Sequence, residues 1–83
     1  MKIQFKQLAV SQLKKLDANT RRRILQKLQW LSYQEAPLLF AKPLKDSEIG
    51  RYRFRIGDYR AIFDLKNNII FVLSLGHRRD IYR

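Results

Sequence analysis

The sequence contains no cysteine, a single histidine, and seven acidic residues against eighteen basic ones. Without thiols the chain can form neither a disulfide framework nor a thiolate nucleophile. Few carboxylates and one histidine argue against a metal held by the protein, so we expect no metal and no cofactor. The excess of cations gives a formal charge of +11 at pH 7, which favours an anionic partner.

Long apolar runs are also missing. The longest run, residues 69–75 with Ser74 inside it, is far shorter than the roughly 20 residues that a membrane helix needs. The first five residues lack the apolar core of a signal peptide. We therefore expect a soluble protein of the reducing cytoplasm with no membrane partner. At 83 residues the chain fits one domain, residues 1–83, with a modest core.

Hydrophobic periodicity predicts a short strand followed by a helical hairpin. Residues 2–5 alternate between polar and apolar, and apolar residues then recur at helical spacing through residues 6–34. Asp17 or Asn19 is available to cap the second helix. Two prolines, at positions 37 and 43, then bracket an irregular connection that runs to about residue 50.

The second predicted helix has two distinct sides. Its apolar stripe consists of Ile24, Leu28 and Leu31. Trp30 and Tyr33 near its end are expected to join the core rather than form a nucleic-acid platform. Its start carries three consecutive arginines, Arg21, Arg22 and Arg23. The helix dipole disfavours cations there by a few tenths of a kcal/mol. These arginines therefore either lie on a solvated face of the helix or bind a long anion such as ribosomal RNA.

From residue 51 the period changes to two, which predicts an antiparallel three-strand meander. Gly57-Asp58 is a two-residue hairpin turn, and residues 59–65 form the returning strand. Asn67-Asn68 is a second turn before a last strand at residues 69–75. This strand is apolar on both sides and is therefore expected inside the sheet. The predicted fold is α+β: a short N-terminal strand, a helical hairpin and the meander, with one sheet packed against two helices.

The first turn predicts a cluster of arginines. If Gly57-Asp58 is a two-residue turn, Arg55 lies opposite Arg60, and Arg53 lies two residues along on the same face. Like charges so placed repel by about 1 kcal/mol at 5 Å in water, and by several-fold more at a partly buried surface. We therefore expect the cluster to bind an anion.

The second turn predicts where the last strand ends. Pairing Lys66 with Ile69 places Leu75 opposite Arg60. The strand therefore ends before Gly76, beside the pair formed by Arg55 and Arg60. Three candidate functional residues follow: His77, Arg78 and Tyr82. Histidine moves protons near neutral pH, arginine neutralises phosphate, and tyrosine stacks on a base. The histidine could instead be a structural or surface residue, and the tyrosine could instead anchor the C-terminus as a hydrophobic plug.

Residues 52–60 (YRFRIGDYR), the apolar strand, residues 76–78 (GHR) and Tyr82 together resemble the RelE branch of the RelE/ParE toxin superfamily. The resemblance covers the whole chain, including the order of strand, helical hairpin and meander. It implies the toxin of a type II toxin–antitoxin system, held inactive by a cognate antitoxin. When freed, such a toxin enters the ribosomal A site and cleaves mRNA. Operator DNA is an expected partner only through the antitoxin.

The resemblance also implies the site residues. Basic positions of RelE-type enzymes correspond here to Arg53 and Arg55, then Arg60, then Arg78, and the C-terminal tyrosine corresponds to Tyr82. Well-known members carry lysines where this chain has Arg53 and Arg55, and a lysine has been assigned the role of general base. Arginine stays protonated up to about pH 12 and is a poor proton acceptor, so either another group transfers the proton or the mechanism relies on electrostatics.

The implied reaction is attack of a ribose 2'-OH on the adjacent phosphate, giving a cyclic phosphate and a 5'-OH. Arg55 and Arg60 would hold the scissile phosphate, and Arg53 would contact a neighbouring one. Arg78 would stabilise the transition state or the leaving group. His77 is the candidate for proton transfer. The tyrosine would stack on a base, and no metal would take part.

Two other functions are compatible with this fold. ParE-like proteins poison DNA gyrase and have no nuclease activity, but they generally lack the full set of basic residues and tyrosine present here. A non-catalytic RNA-binding module would use the same cations only to bind. The set of cations and tyrosine favours the nuclease over the gyrase inhibitor.

Overall fold

The computed structural model describes residues 1–45 and 47–81. Over these residues the chain forms two helices, α1 (Gln7–Lys14) and α2 (Ala18–Ser32), and a 3-10 helix (Pro37–Phe40). Its strands are β1 (Lys2–Phe5), β2 (Lys42–Pro43), β3 (Tyr52–Ile56), β4 (Tyr59–Lys66) and β5 (Ile69–His77). They form a sheet in the order β1-β5-β4-β3-β2, in which β1 runs parallel to β5 and the other pairs are antiparallel. The helices pack on one face of this sheet, which confirms the predicted α+β class.

The helical hairpin is confirmed, with Asp17 as the cap of α2. Its carboxylate accepts hydrogen bonds from the Thr20 hydroxyl (2.6 Å) and the Thr20 amide (3.1 Å). These bonds favour the charged form and hold the pKa of Asp17 below its ordinary value of 3.8. The predicted apolar stripe of α2 is fully buried. No helix among the described residues is long and apolar enough to cross a bilayer.

Trp30 and Tyr33 do not join the core, so that prediction is wrong. Trp30 is 39% exposed and Tyr33 is 74% exposed. Each lies two positions after a buried leucine, Leu28 or Leu31. Two residues correspond to more than half a helical turn, which turns both aromatic side chains away from the buried stripe. Trp30 lies at the edge of the helical layer, where its ring stacks on Phe54 of β3 with centroids 6.5 Å apart.

The connection after α2 is more regular than expected. Pro37 occupies the first position of the 3-10 helix, where its missing amide hydrogen costs nothing. Lys42 then pairs with Arg53, and Pro43 pairs with Tyr52, which makes β2 the edge strand of the sheet. Proline is compatible with an edge because one side of the strand needs no hydrogen-bond donor.

The first hairpin has the predicted register. Arg55 lies opposite Arg60, one pair away from the turn at Gly57-Asp58. Gly57 has a positive φ of 58°, as a tight two-residue turn requires. At the second turn Asn67 and Asn68 also have positive φ values, of 53° and 61°.

The second hairpin departs from the predicted register at a β-bulge. Lys66 pairs with Ile69 as expected, but the pairing shifts by one residue between Ile62 and Phe63. Arg60 therefore lies opposite Gly76 rather than Leu75, and β5 continues to His77 instead of ending at residue 75.

The bulge follows from the apolar pattern of β5. It keeps Leu75 on the buried face, at 2% exposure, and turns Ser74 toward the other face. An unbroken ladder would have placed Leu75 beside Arg60. The interior position of β5, between β1 and β4, is confirmed.

Candidate nucleic-acid interface

Arginines line the sheet face that is turned away from the helices. Phe54 and Ile56 belong to the core, so the alternation of β3 turns Arg53 and Arg55 to the outer face. Arg60 lies opposite Arg55 and shares this face. Arg55 is exposed, whereas Arg53 and Arg60 are half-buried. The predicted grouping of three arginines on one face is thus present.

Arg60 is held at the turn between β3 and β4. Its Nη1 donates hydrogen bonds to the backbone oxygens of Gly57 (2.8 Å) and Tyr59 (2.9 Å). These bonds direct the guanidinium toward the end of the hairpin. The charge of Arg60 is therefore presented at the turn rather than along the middle of the strand.

Arg78 reaches the same turn from β5. Its amide donates to the backbone oxygen of Asp58 (2.7 Å), and its Nε lies 3.9 Å from Asp58 Oδ1. Both side chains are more than half exposed, so the ion pair is a weak constraint that a competing anion can replace. The turn thereby gathers Arg60 and Arg78 at one end of the sheet.

His77 lies on the other side of the sheet from Arg60. Its register partner is Tyr59, on the helix-covered face, and the two rings meet edge to face with centroids 5.6 Å apart. Its Nδ1 accepts a hydrogen bond from the Arg79 amide (3.2 Å). In the neutral imidazole Nδ1 is thus the acceptor and Nε2 carries the proton.

The three arginines at the start of α2 lie in the helical layer, apart from this outer face. Arg21 Nη1 donates to the carbonyl oxygens of Leu16 (3.1 Å) and Leu13 (3.4 Å) at the end of α1. This capping of α1 explains a cation at a helix start. Arg22 Nη1 donates to Asn19 Oδ1 (3.5 Å), and Arg23 is exposed. Contact between these arginines and RNA stays a prediction.

Tyr82 and Asp58 also differ from what the sequence predicts or lie beyond its test. Tyr82, expected to stack on a base, lies outside the described residues. Asp58 was expected only to form a turn, yet its backbone and carboxylate both contact Arg78. The sequence carried no signal for this contact, because it depends on the bulge that lengthens β5.

Comparison with known proteins places the chain among toxins. Residues 3–82 match the family model described as the ParE toxin of the type II toxin–antitoxin system, parDE. The fold is similar to the RelBE2 toxin–antitoxin complex from Mycobacterium tuberculosis, with a TM-score of 0.77 and 23% identity over 93% of this chain and 96% of that one. No curated protein matches the sequence significantly.

Two archaeal structures are similar as well. The RelE–RelB complex from Pyrococcus horikoshii OT3 has a TM-score of 0.73 and 27% identity, covering 95% of this chain and 96% of that one. The RelB–RelE antitoxin–toxin complex from Methanococcus jannaschii has a TM-score of 0.70 and 25% identity, covering 94% and 93%. All three structures share the fold over nearly the full length of this chain.

Proposed function

The chain belongs to the family of ParE toxins of type II toxin–antitoxin systems, within the RelE/ParE superfamily. Because it belongs to this family, we propose that it is a ribosome-dependent mRNA endonuclease neutralised by a cognate antitoxin. The observation that carries the proposal is the convergence of arginines at the hairpin turn. Arg55 and Arg60 face each other across the strands, and Arg78 contacts the adjoining turn. Three guanidiniums at one end of a sheet suit a phosphodiester better than a protein surface.

The reaction begins with a ribose 2'-OH. Its oxygen forms a bond to the adjacent phosphorus and loses its proton, while the bond from phosphorus to the 5'-oxygen breaks and that oxygen gains a proton. The products are a cyclic phosphate and a 5'-OH. Arg55 and Arg60 neutralise the phosphoryl oxygens, where negative charge develops, and Arg78 stabilises the departing oxygen. Arg53 contacts a neighbouring phosphate.

His77 is the candidate for proton transfer. Arginine cannot exchange protons near neutral pH, whereas histidine can, and Nε2 is the ring nitrogen left for the exchange because Nδ1 accepts from the Arg79 amide. Since His77 faces Tyr59 rather than Arg60, the role requires the RNA to pass around the end of β5. Tyr82 would stack on a base.

The proposed function also implies the binding partners. The similar structures from Mycobacterium tuberculosis and Pyrococcus horikoshii OT3 are complexes of toxin with antitoxin, and we expect this chain to form such a complex in the cytoplasm. The ribosome and its mRNA are the expected targets, with Arg22 and Arg23 available for ribosomal RNA. Operator DNA would be contacted only through the antitoxin. The chemistry described needs neither a metal nor a cofactor.

A second function is favoured by the family model itself, which is that of a ParE toxin. In this alternative the chain inhibits DNA gyrase and cuts no RNA. The cation cluster would then serve a protein or DNA surface. The third hypothesis is a non-catalytic RNA-binding module, in which the same arginines bind RNA without cutting it.

One experiment separates these functions. The wild-type protein is incubated with ribosomes programmed with mRNA and, separately, with gyrase and supercoiled plasmid. We expect cleaved mRNA and unaffected supercoiling. Inhibited gyrase with intact mRNA would establish the alternative, and retained but uncut RNA would establish the binding module.

Variants of the arginines test the assignment of the site. We expect Arg55→Ala and Arg78→Ala each to lower single-turnover cleavage by about 100- to 1000-fold, the usual loss when a stabilising donor is removed from a charged transition state. Arg79→Ala is the matched control, since Arg79 is exposed and adjacent to Arg78. Cleavage that stays at the wild-type rate in both site variants would refute the assignment.

A further inference from the structure

Asp58 places a carboxylate beside the arginine cluster, which we define as Arg55, Arg60 and Arg78. It follows Gly57 in the turn between β3 and β4, and its side chain is 66% exposed. Its Oδ1 lies 3.9 Å from Nε of Arg78. The other two arginines of the cluster belong to the strands that this turn joins. A negative charge therefore stands at the end of the sheet where the cations gather.

Within the described part of the chain, the hydrogen bonds that hold the fold do not involve the Asp58 carboxylate. Asp17 caps α2 through Thr20, and the Asp64 carboxylate accepts a hydrogen bond from the Arg51 amide (2.8 Å). The Asp58 carboxylate, in contrast, accepts no hydrogen bond from a residue of 1–45 or 47–81. Turns accept asparagine as readily as aspartate, so the turn by itself does not require a charge at this position.

The main chain keeps the carboxylate next to Arg78. The Arg78 amide donates to the backbone oxygen of Asp58 (2.7 Å), which fastens the chain after β5 to the turn. This bond does not depend on the Asp58 side chain. The charge of Asp58 can therefore be removed while the backbone of Arg78 stays in place.

The contact between the two charges is loose. A separation of 3.9 Å is too long for a hydrogen bond, and the Arg78 guanidinium donates none to the described residues. Exposed ion pairs of this kind contribute little to stability. A phosphate that accepts two short hydrogen bonds from the planar guanidinium makes the stronger contact. Such a phosphate would displace the carboxylate.

We propose that Asp58 is a counter-ion that competes with phosphodiesters for Arg78 and so weakens the binding of RNA to the arginine cluster. A bound phosphate must replace the carboxylate at Arg78 and then remain close to its negative charge, and both effects oppose binding. In a protein with a charge of +11, this counter-ion limits retention by RNA that is not the target. The proposal rests on the proposed function only in that the cluster binds phosphodiesters, and cleavage plays no part in it.

The probe is a short, fluorescently labelled single-stranded RNA with a 2'-O-methyl group on every ribose. It carries phosphodiesters but lacks the attacking 2'-OH, so binding is measured without cleavage. Fluorescence anisotropy in about 0.1 M salt, where the screening length is about 10 Å, gives the dissociation constant. We expect Asp58→Asn to bind this RNA about 3- to 10-fold more tightly than wild type, since one competing ion pair and one repulsion are lost.

Asp80→Asn is the matched control. It removes the same charge from an exposed aspartate close to Arg78 in sequence, but the Asp80 side chain borders the cleft beside Leu8 of α1 rather than the turn. Its affinity for the RNA should stay within about twofold of wild type. Asp58→Asn keeps a residue that suits a turn, so its melting temperature should match that of wild type.

A double-mutant cycle with Arg78→Ala tests whether Asp58 acts through that arginine. In the Arg78→Ala background, Asp58→Asn should change the affinity by less than about twofold, because no guanidinium remains for the carboxylate to occupy. An equal gain in both backgrounds would show that Asp58 acts only through the overall charge, and it would overturn the proposal.

Two other outcomes would also overturn it. One is an affinity of Asp58→Asn no higher than that of Asp80→Asn. The other is weaker binding by Asp58→Asn, which would mean that the carboxylate holds Arg78 in the orientation that RNA requires. Cleavage of mRNA by the wild-type protein alongside either outcome would leave the proposed function standing. Tighter binding by Asp58→Asn, together with a wild-type protein that cuts no mRNA, would refute the nuclease and support the counter-ion.

Discussion

Arg60 has two roles at the scale of the single residue, one in the site and one in the fold. Its guanidinium bonds the carbonyls of Gly57 and Tyr59, so Arg60→Ala should lower the free energy of unfolding by about 1–2 kcal/mol as well as remove a charge. Arg55 is exposed on the strand, and Arg55→Ala should change stability by less than about 0.5 kcal/mol. Urea unfolding of both variants tests this difference. Equal stabilities would show that the turn bonds contribute little.

His77 is tested by a change that keeps a polar side chain. His77→Gln should lower single-turnover mRNA cleavage on ribosomes by about 10- to 1000-fold, because glutamine can form hydrogen bonds but cannot take up and release a proton near neutral pH. Arg79→Ala serves again as the neighbouring control. A loss below about threefold would make His77 a structural partner of Tyr59 rather than a catalytic residue.

Asp17 makes part of the stability depend on pH. Hydrogen bonds from Thr20 hold its folded-state pKa below the ordinary value of 3.8. The cap therefore contributes fully above about that pH, and its contribution is lost as the pH falls through the lower folded-state pKa. Asp17→Ala should lower the melting temperature at neutral pH, and the difference from wild type should shrink in acid. Asp80→Ala, at an exposed aspartate, is the control.

At the scale of elements, the loop before β3 packs closely over the outer face of the sheet. A Cβ atom on Gly50, which has a φ of 153°, would meet Ile62 Cγ2 and would lie 3.0 Å from Leu73 Cδ1. The Arg51 amide next to it donates to Asp64 Oδ1 (2.8 Å). The loop can make this bond because glycine allows the close approach.

Two glycine variants separate backbone strain from crowding. Gly57 also has a positive φ, of 58°, but no atom lies within 4 Å of an added Cβ. Gly57→Ala should therefore cost about 1–2 kcal/mol from strain. Gly50→Ala should cost about 1–3 kcal/mol more, since a packed side chain must move. Denaturant unfolding measures both, and equal losses would contradict the close packing at Gly50.

Elements were predictable where local chemistry determines them. The turn residues Gly57-Asp58 set the register of the first hairpin, and the apolar spacing of α2 set its buried side. The bulge near Leu73 was not predictable, because a run that is apolar on both faces permits two registers and packing against the helices chooses one. The position of His77 was missed for that reason. The exposure of Trp30 was missed because aromatic residues are usually buried.

At the scale of the whole molecule, a charge of +11 on 83 residues lowers the stability of the folded state, because the like charges repel one another. A polyanion that binds the folded state should offset the repulsion. Inorganic polyphosphate at about 100 times its dissociation constant should stabilise the protein by about 2.7 kcal/mol. The rise in melting temperature should vanish in about 1 M salt, where charges are screened within about 3 Å. Polylysine is the control, and a rise that persists in high salt would contradict an electrostatic origin.

The parallel pairing of β1 with β5 also constrains how the protein is made. Lys2 pairs with Ile69, so β1 finds its partner only in residues 69–72, which are synthesised after both helices and strands β2, β3 and β4. Until those residues leave the ribosomal exit tunnel, β1 has an open edge and the helices have no complete sheet to cover. Contacts so distant in sequence form slowly. A nascent chain therefore completes its sheet only after β5 has emerged, which delays any activity that depends on the finished fold until that point of synthesis.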